Sequence, residues 1–134
     1  MSNTKSQYLL LFRGTDWYRQ LSVNELQEIM GRANAWFAEL AEKGIYKAAQ
    51  PLDEKGATIA FKNGAVSDGP FTESKESVGG YLLLEAESLE EAVAIGRQNP
   101  MVPYGLVIEV RPVSDDCGAT KLARQQANAA VALA

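Results

Sequence analysis

Tyr8-Leu-Leu-Leu-Phe-Arg-Gly14 and Ser22-Val-Asn-Glu25 stand close together near the head of the chain, and reading them as a pair decides the fold. The first is a short run that is apolar at both alternating sets of positions. Such a run suits a strand in the middle of a sheet, covered on both faces. Glycine closes it. The second places a serine three residues before a glutamate, the arrangement in which each side chain satisfies a free backbone N–H at a helix start. Leu26, Ile29, Met30, Ala33, Trp36 or Phe37, and Leu40 then recur at helical spacing. Lys43-Gly44 ends the helix, with a cation and a glycine where helix C-termini favour them. Gly31 lowers helix propensity inside it and reads as a point of close packing. The opening is therefore strand, exposed-looking aromatic loop (Asp16-Trp17-Tyr18-Arg19), long amphipathic helix.

Working outward, the pattern repeats. Residues 45–49 read as a strand. Residues 57–62 and 65–67 flank Asn63-Gly64, a strong hairpin signal. Asp68-Gly69-Pro70-Phe71 reads as a turn by residue chemistry. Gly79-Gly80 leads into a strand over 81–86. Ser88 with Glu91 makes a second capping box, and Leu89, Ala92, Val93 and Ile95 give a short helix that Asn99-Pro100 stops. Residues 106–113 alternate as a last strand. The order strand, helix, strand, hairpin, strand, helix, strand predicts an α+β fold, a ferredoxin-like sandwich with an added β-hairpin. Residues 1–113 form one domain. Residues 114–134 are an Ala-rich tail, expected to be helical when docked and disordered otherwise.

Composition excludes several functions. The 134 residues are 46% hydrophobic and 22% charged, which suits one globular domain. Thirteen basic against seventeen acidic side chains give a net charge of −4, without a basic stripe, so a nucleic-acid partner is not expected. Histidine is absent and cysteine occurs once, which removes Ser-His-Asp, Cys-His and His-metal chemistry. One cysteine forms no internal disulfide, which fits a cytoplasmic setting. No apolar stretch approaches the ~20 residues that cross a bilayer. Residues 1–7 are polar, without the apolar core of a leader. No Gly-rich phosphate loop and no calcium-loop pattern occur, so neither a cofactor nor a metal is expected. Cys117 follows Asp115-Asp116, whose charge is expected to disfavour its thiolate.

Strand parity divides the side chains into two faces. Tyr8, Leu10 and Phe12, Leu82 and Leu84, and Leu106, Ile108 and Val110 make fully apolar sets that belong under the helices. The other face is mixed. It carries Leu9, Leu11 and Arg13, then Tyr81, Leu83 and Glu85, then Val107, Glu109 and Arg111. So many large apolar groups on one open face mark an interface. A second copy of the chain is expected to cover it, with the charges lining a cavity or pairing across the homodimer. Ordinary cross-strand ion pairing of Glu109 and Arg111 is the plainer alternative.

The densest chemistry is Asp68-Gly-Pro-Phe-Thr-Glu-Ser-Lys-Glu76. Its carboxylates, Asp68 and Glu73 among them, can act as acids or bases in a partly dry pocket. Lys75 can attract an anionic ligand, and Phe71 and Tyr81 can supply an apolar wall. Trp17 and Tyr104 can reach a pocket mouth, whereas Trp36 has core spacing. The plain reading is a capped turn with a solvated charged face.

Together, Tyr8-Leu-Leu-Leu-Phe-Arg-Gly-Thr-Asp-Trp17, the Asp68-Gly-Pro-Phe71 block, Gly79-Gly80-Tyr81, Ser88-Leu-Glu-Glu-Ala92 and Val107-Ile-Glu-Val-Arg-Pro-Val113 resemble the YCII-related, or DGPF-domain, family over roughly residues 7–113. The resemblance implies that the α+β chain pairs into a dimeric barrel with a pocket at or beside the dimer interface. Some relatives of this kind are suspected enzymes on the strength of a His-Asp pair. Asp68 matches the aspartate, but no histidine is present, and Tyr104 stands in the loop where many similar sequences carry one. Asp68 is thus the one catalytic candidate. Arg13, Trp17, Asp68, Phe71, Glu73, Lys75, Tyr81, Tyr104, Glu109 and Arg111 are the ligand-binding candidates. The expected function is binding of a small ligand, an anionic one as an option, in a pocket at the dimer interface, with carboxylate acid–base chemistry if there is a reaction. The alternative is a non-enzymatic regulatory or interaction module, suggested by family members encoded near sigma factors.

Overall fold

The apolar run at the head of the chain does form a central strand. The computed structural model describes residues 5–59, 66–69 and 77–133, with 66–69 and 132–133 described through their backbone. In chain order the elements are β1 (Ser6–Arg13), α1 (Val23–Glu42), β2 (Tyr46–Pro51), β3 (Gly56–Ile59), β4 (Val66–Gly69), β5 (Val78–Ala86), α2 (Leu89–Arg97), β6 (Val107–Pro112) and α3 (Gly118–Leu133). Four strands make one sheet in the order β2-β5-β1-β6, and each neighbouring pair is antiparallel. That is the path a βαββαβ chain takes when each helix carries it over the sheet. β3 and β4 form a separate two-stranded antiparallel ladder.

The hairpin therefore exists, but its second strand runs further than its residues suggest. Asp68 pairs with Ala57 and Gly69 with Gly56, so these two stand in the ladder and not in a turn. Pairing along this ladder outweighs local turn preference. The Asn63-Gly64 signal and residues 70–76 lie outside the described residues.

Serine caps start α1 and α2, and the full reciprocal box forms at α1. Ser22 Oγ accepts from Glu25 N at 3.1 Å, and Glu25 Oε1 accepts from Ser22 N at 3.0 Å. The Ser22 N–H holds the Glu25 carboxyl below its ordinary pKa, so the reciprocal bond is present above the carboxylate range and fades as pH falls through it. Ser88 Oγ accepts from Glu91 N at 3.1 Å. Gly44, at φ +76°, terminates α1 in the left-handed conformation that glycine adopts freely. Gly31 serves no close packing. It is exposed, and a Cβ there meets nothing within 4 Å. Gly31→Ala should accordingly raise stability by roughly 0.5–1 kcal/mol, read as a higher denaturant midpoint with an unchanged slope.

The parity reading of the core holds. Leu10, Leu82 and Leu84 are fully buried, and Tyr8, Trp36, Leu40, Ala92 and Ile95 close round them beneath the two helices. A second cluster of Ile29, Ala33, Met101 and Leu106 sits nearer the start of α1. Buried Asn99 shapes the turn that feeds it, its Oδ1 accepting from Met101 N at 2.7 Å. On the opposite sheet face Leu9, Leu11, Tyr81 and Leu83 are half-buried. Leu9 lies opposite Leu83, and Leu11 opposite Tyr81.

The tail is helical, and nothing among the described residues covers it. Residues 118–133 are helical although every described side chain of α3 is exposed. Local chemistry favours the helix. Cys117 O accepts from Lys121 N at 3.0 Å, Arg124 pairs with Asp116 near the helix start, and alanine loses no side-chain entropy on becoming helical. Among the described residues no helix is long and apolar enough to cross a membrane.

Candidate functional site

α1 carries more apolar surface than its packing uses. Ile29, Ala33, Trp36 and Leu40 form the buried stripe. Leu26, Met30, Phe37, Ala38 and Ala41 form a second stripe beside it, and this one borders a cavity of about 840 Å³ between the helix and the sheet. Phe12 of β1 and Gly80 of β5 line it from the sheet. Tyr46 and Ala49 of β2 form a side wall, and Met101 and Leu106 line it from the later part of the chain.

Gly80 helps to leave this space empty. It continues the inward-facing series of Leu82 and Leu84, but it has no side chain to project. A Cβ there would lie 3.1 Å from the Gln50 carbonyl oxygen and 3.5 Å from Phe12 Cδ2. The glycine thus lets β2 approach β5 closely while the space above stays unfilled. Leu52 N donates to Gly79 O at 2.9 Å and ties the segment after β2 to the same place.

The β1–α1 loop borders the cavity with Trp17 and Tyr18, whose rings meet edge to face at 5.6 Å. Trp17 rests on Gly105, where a Cβ would come within 3.2 Å of Trp17 Cβ. Arg19 and Glu54 form an exposed ion pair at 3.6 Å that links this loop to the segment after β2.

The residues singled out from sequence fall in different places. Trp17 and Tyr81 border the cavity. Arg13, Glu109 and Arg111 stand on the opposite sheet face, where Arg13 Nη1 donates to Glu109 Oε1 at 3.1 Å and Arg111 Nε lies 4.0 Å from the same carboxylate. Tyr104 is exposed, and its hydroxyl accepts from Arg32 Nη2 at 3.4 Å. Asp68 is placed by backbone in β4, and Phe71, Glu73 and Lys75 lie outside the described residues. Sequence reasoning missed Phe12, Tyr46, Gly80 and the second stripe of α1. The available signal was the width of the apolar pattern on that helix. Cys117 also differs from expectation. The Thr120 hydroxyl, 3.2 Å from its sulfur, draws the thiol pKa below its ordinary value despite the neighbouring aspartates.

Comparison with known proteins places this arrangement in a family. The model of the YCII-related domain matches residues 15–115. The chain belongs to the YCII-related family. No curated protein matches it. Among solved structures, it is similar to 5-chloro-2-hydroxyhydroquinone dehydrochlorinase from Burkholderia phenoliruptrix AC1100, in complex with 2,5-dihydroxybenzoquinone. Identity is 20% over 82% of this chain and 95% of that chain, with a TM-score of 0.49. In this YCII-related chain the cavity lies on the helix side of the sheet, and the ionic residues Arg13, Glu109 and Arg111 lie on the other.

Proposed function

We propose that this YCII-related protein binds a small, largely apolar molecule in the cleft between α1 and the sheet. In this reading two copies of the chain pair through the opposite sheet face, closing the dimeric barrel that the family resemblance implies. The single observation behind the binding role is the cleft itself. At about 840 Å³ it lies well within the roughly 300–1,000 Å³ typical of small-molecule sites. Its walls are mostly aromatic and aliphatic, so entry of an apolar ligand releases water from both surfaces. The ligand therefore sits on the helix side of the sheet, and Arg13, Glu109 and Arg111 serve chain pairing.

The exposed length of α3 favours a second reading, an interaction module. That reading has no use for a ligand-sized space, and the cleft outweighs it.

Ala38→Trp tests the binding role. Ala38 is exposed on α1 yet borders the cleft, so an indole there occupies ligand space without entering the packed core. Titrated with Nile red, an uncharged fluorescent probe, the variant should bind at least roughly tenfold more weakly than the unchanged chain, a difference of ~1.4 kcal/mol. Circular dichroism and melting should match. Equal affinity in the two proteins would remove the cleft from the proposal.

A further inference from the structure

The lining of the cleft narrows the chemistry of its occupant. Six aromatic residues border it among the described residues: Phe12, Trp17, Tyr18, Phe37, Tyr46 and Tyr81, drawn from β1, the loop after it, α1, β2 and β5. Phe12 and Phe37 meet edge to face at 6.2 Å and 75°, and Trp17 and Tyr18 meet at 5.6 Å and 87°. In an edge-to-face pair the ring that offers its edge keeps both of its own faces unused by that partner. Such faces are free to stack on, or receive the edge of, a further ring.

Charge points the same way. Among the described lining residues there is no lysine or arginine, and the one carboxylate is Glu54. Glu54 is more than half exposed and already pairs with Arg19. An anion moving into the apolar part would lose hydration, and no lysine or arginine among the described lining residues would replace it. A cation would find aromatic faces, but the walls also carry Leu26, Met30, Met101 and Leu106, which reward apolar area and not charge.

Size and shape complete the case. A dry apolar cavity of about 150 Å³ holds one benzene ring, and this cleft is several times larger. It follows α1 from Leu26 to Ala41, roughly 22 Å of helix at 1.5 Å per residue, so it is elongated. We infer that the molecule held here is an uncharged, planar aromatic of two or three fused rings, stacked between the α1 side and the Phe12–Tyr46 side. The inference rests on the binding reading above and specifies its ligand class.

Four two-ring probes of similar size separate the possibilities: 2-naphthol, 2-naphthoate, (2-naphthyl)trimethylammonium and the saturated alcohol 2-decalinol. Each is titrated calorimetrically into the full chain and into Ala38→Trp at neutral pH. The expected result is that 2-naphthol binds at least tenfold more tightly than each of the others, and that Ala38→Trp removes the binding. If the carboxylate, the ammonium or the saturated ring matches 2-naphthol while Ala38→Trp still abolishes binding, the ligand class is wrong and the site stands. If 2-naphthol binds equally to both proteins, or no probe binds, the site reading falls and this inference falls with it.

Discussion

Gly105→Val is expected to lower stability by about 2–6 kcal/mol and to loosen the aromatic border of the cleft. Gly105 has φ +118° and ψ −5°, and it closes the short 3-10 turn Val102–Tyr104 by donating its N–H to Val102 O at 3.0 Å. A side chain at that φ is strained whatever space surrounds it, and a β-branched one most of all, at roughly 1–3 kcal/mol. The space is also taken. A Cβ would stand 3.2 Å from Trp17 Cβ, and overpacking of this kind costs about 1–3 kcal/mol more. Trp17 packs on the Ile29, Ala33, Met101 and Leu106 cluster, so the strain reaches the core as well as the cleft. Denaturant unfolding gives the energy, and Nile red affinity reports the cleft. Gly105→Ala, which carries the φ strain with fewer atoms, should fall between the two proteins. A loss below about 1 kcal/mol for valine would show that the loop yields freely and that Trp17 is not held by this contact.

Much of this architecture was legible in particular residues. Ser22 with Glu25, Ser88, and Gly44 fix helix ends through local hydrogen bonds and backbone conformation, so short motifs suffice. The alternation of Leu10, Leu82 and Leu84 against Leu9 and Leu83 names the buried face because side-chain period in a strand is two. The cleft was not legible in the same way. Periodicity reports that α1 is apolar from Leu26 to Leu40, but it does not say which part of that width meets the sheet. That depends on Gly80 and on how closely β2 approaches β5, which are non-local facts. Gly31 misled because low propensity reads the same whether a glycine is packed or merely exposed. Asp68-Gly69 misled because turn preference is local, whereas the β3–β4 ladder is not. The candidate site residues split by parity. Arg13, Glu109 and Arg111 share one face with each other and not with the cleft on the helix side, and of the six candidates whose side chains are described, Trp17 and Tyr81 border it.

Leu83→Asp should convert the proposed dimer into a folded monomer while sparing the cleft. Leu83 lies between Leu9 and Ala48 in the ladder, in the row next to Leu11 and Tyr81. The ion pairs Arg13–Glu109 and Lys47–Glu85, each at 3.1 Å, stand on this patch. Partly exposed pairs of this kind contribute at most about 1 kcal/mol, so in the proposed dimer apolar area drives the pairing. An aspartate in a covered apolar patch is an uncompensated charge, at several kcal/mol. In a two-fold dimer the change occurs in both copies. The dimer dissociation constant should therefore rise by roughly a thousandfold or more, about 4 kcal/mol. Leu83 is only half-buried within one chain, so the monomer should stay folded. Leu82→Asp, one residue away and fully buried beneath the helices, should unfold it. Sedimentation velocity across a micromolar dilution series gives the masses, and Nile red titration of the monomer reports the cleft. A chain that is monomeric before any substitution, or whose mass is indifferent to Leu83→Asp, would mean that water and not a second copy meets this face. Retained probe binding by the monomer would show that the cleft is complete within one chain, in keeping with its described lining from β1, α1, β2 and β5 of the same polypeptide.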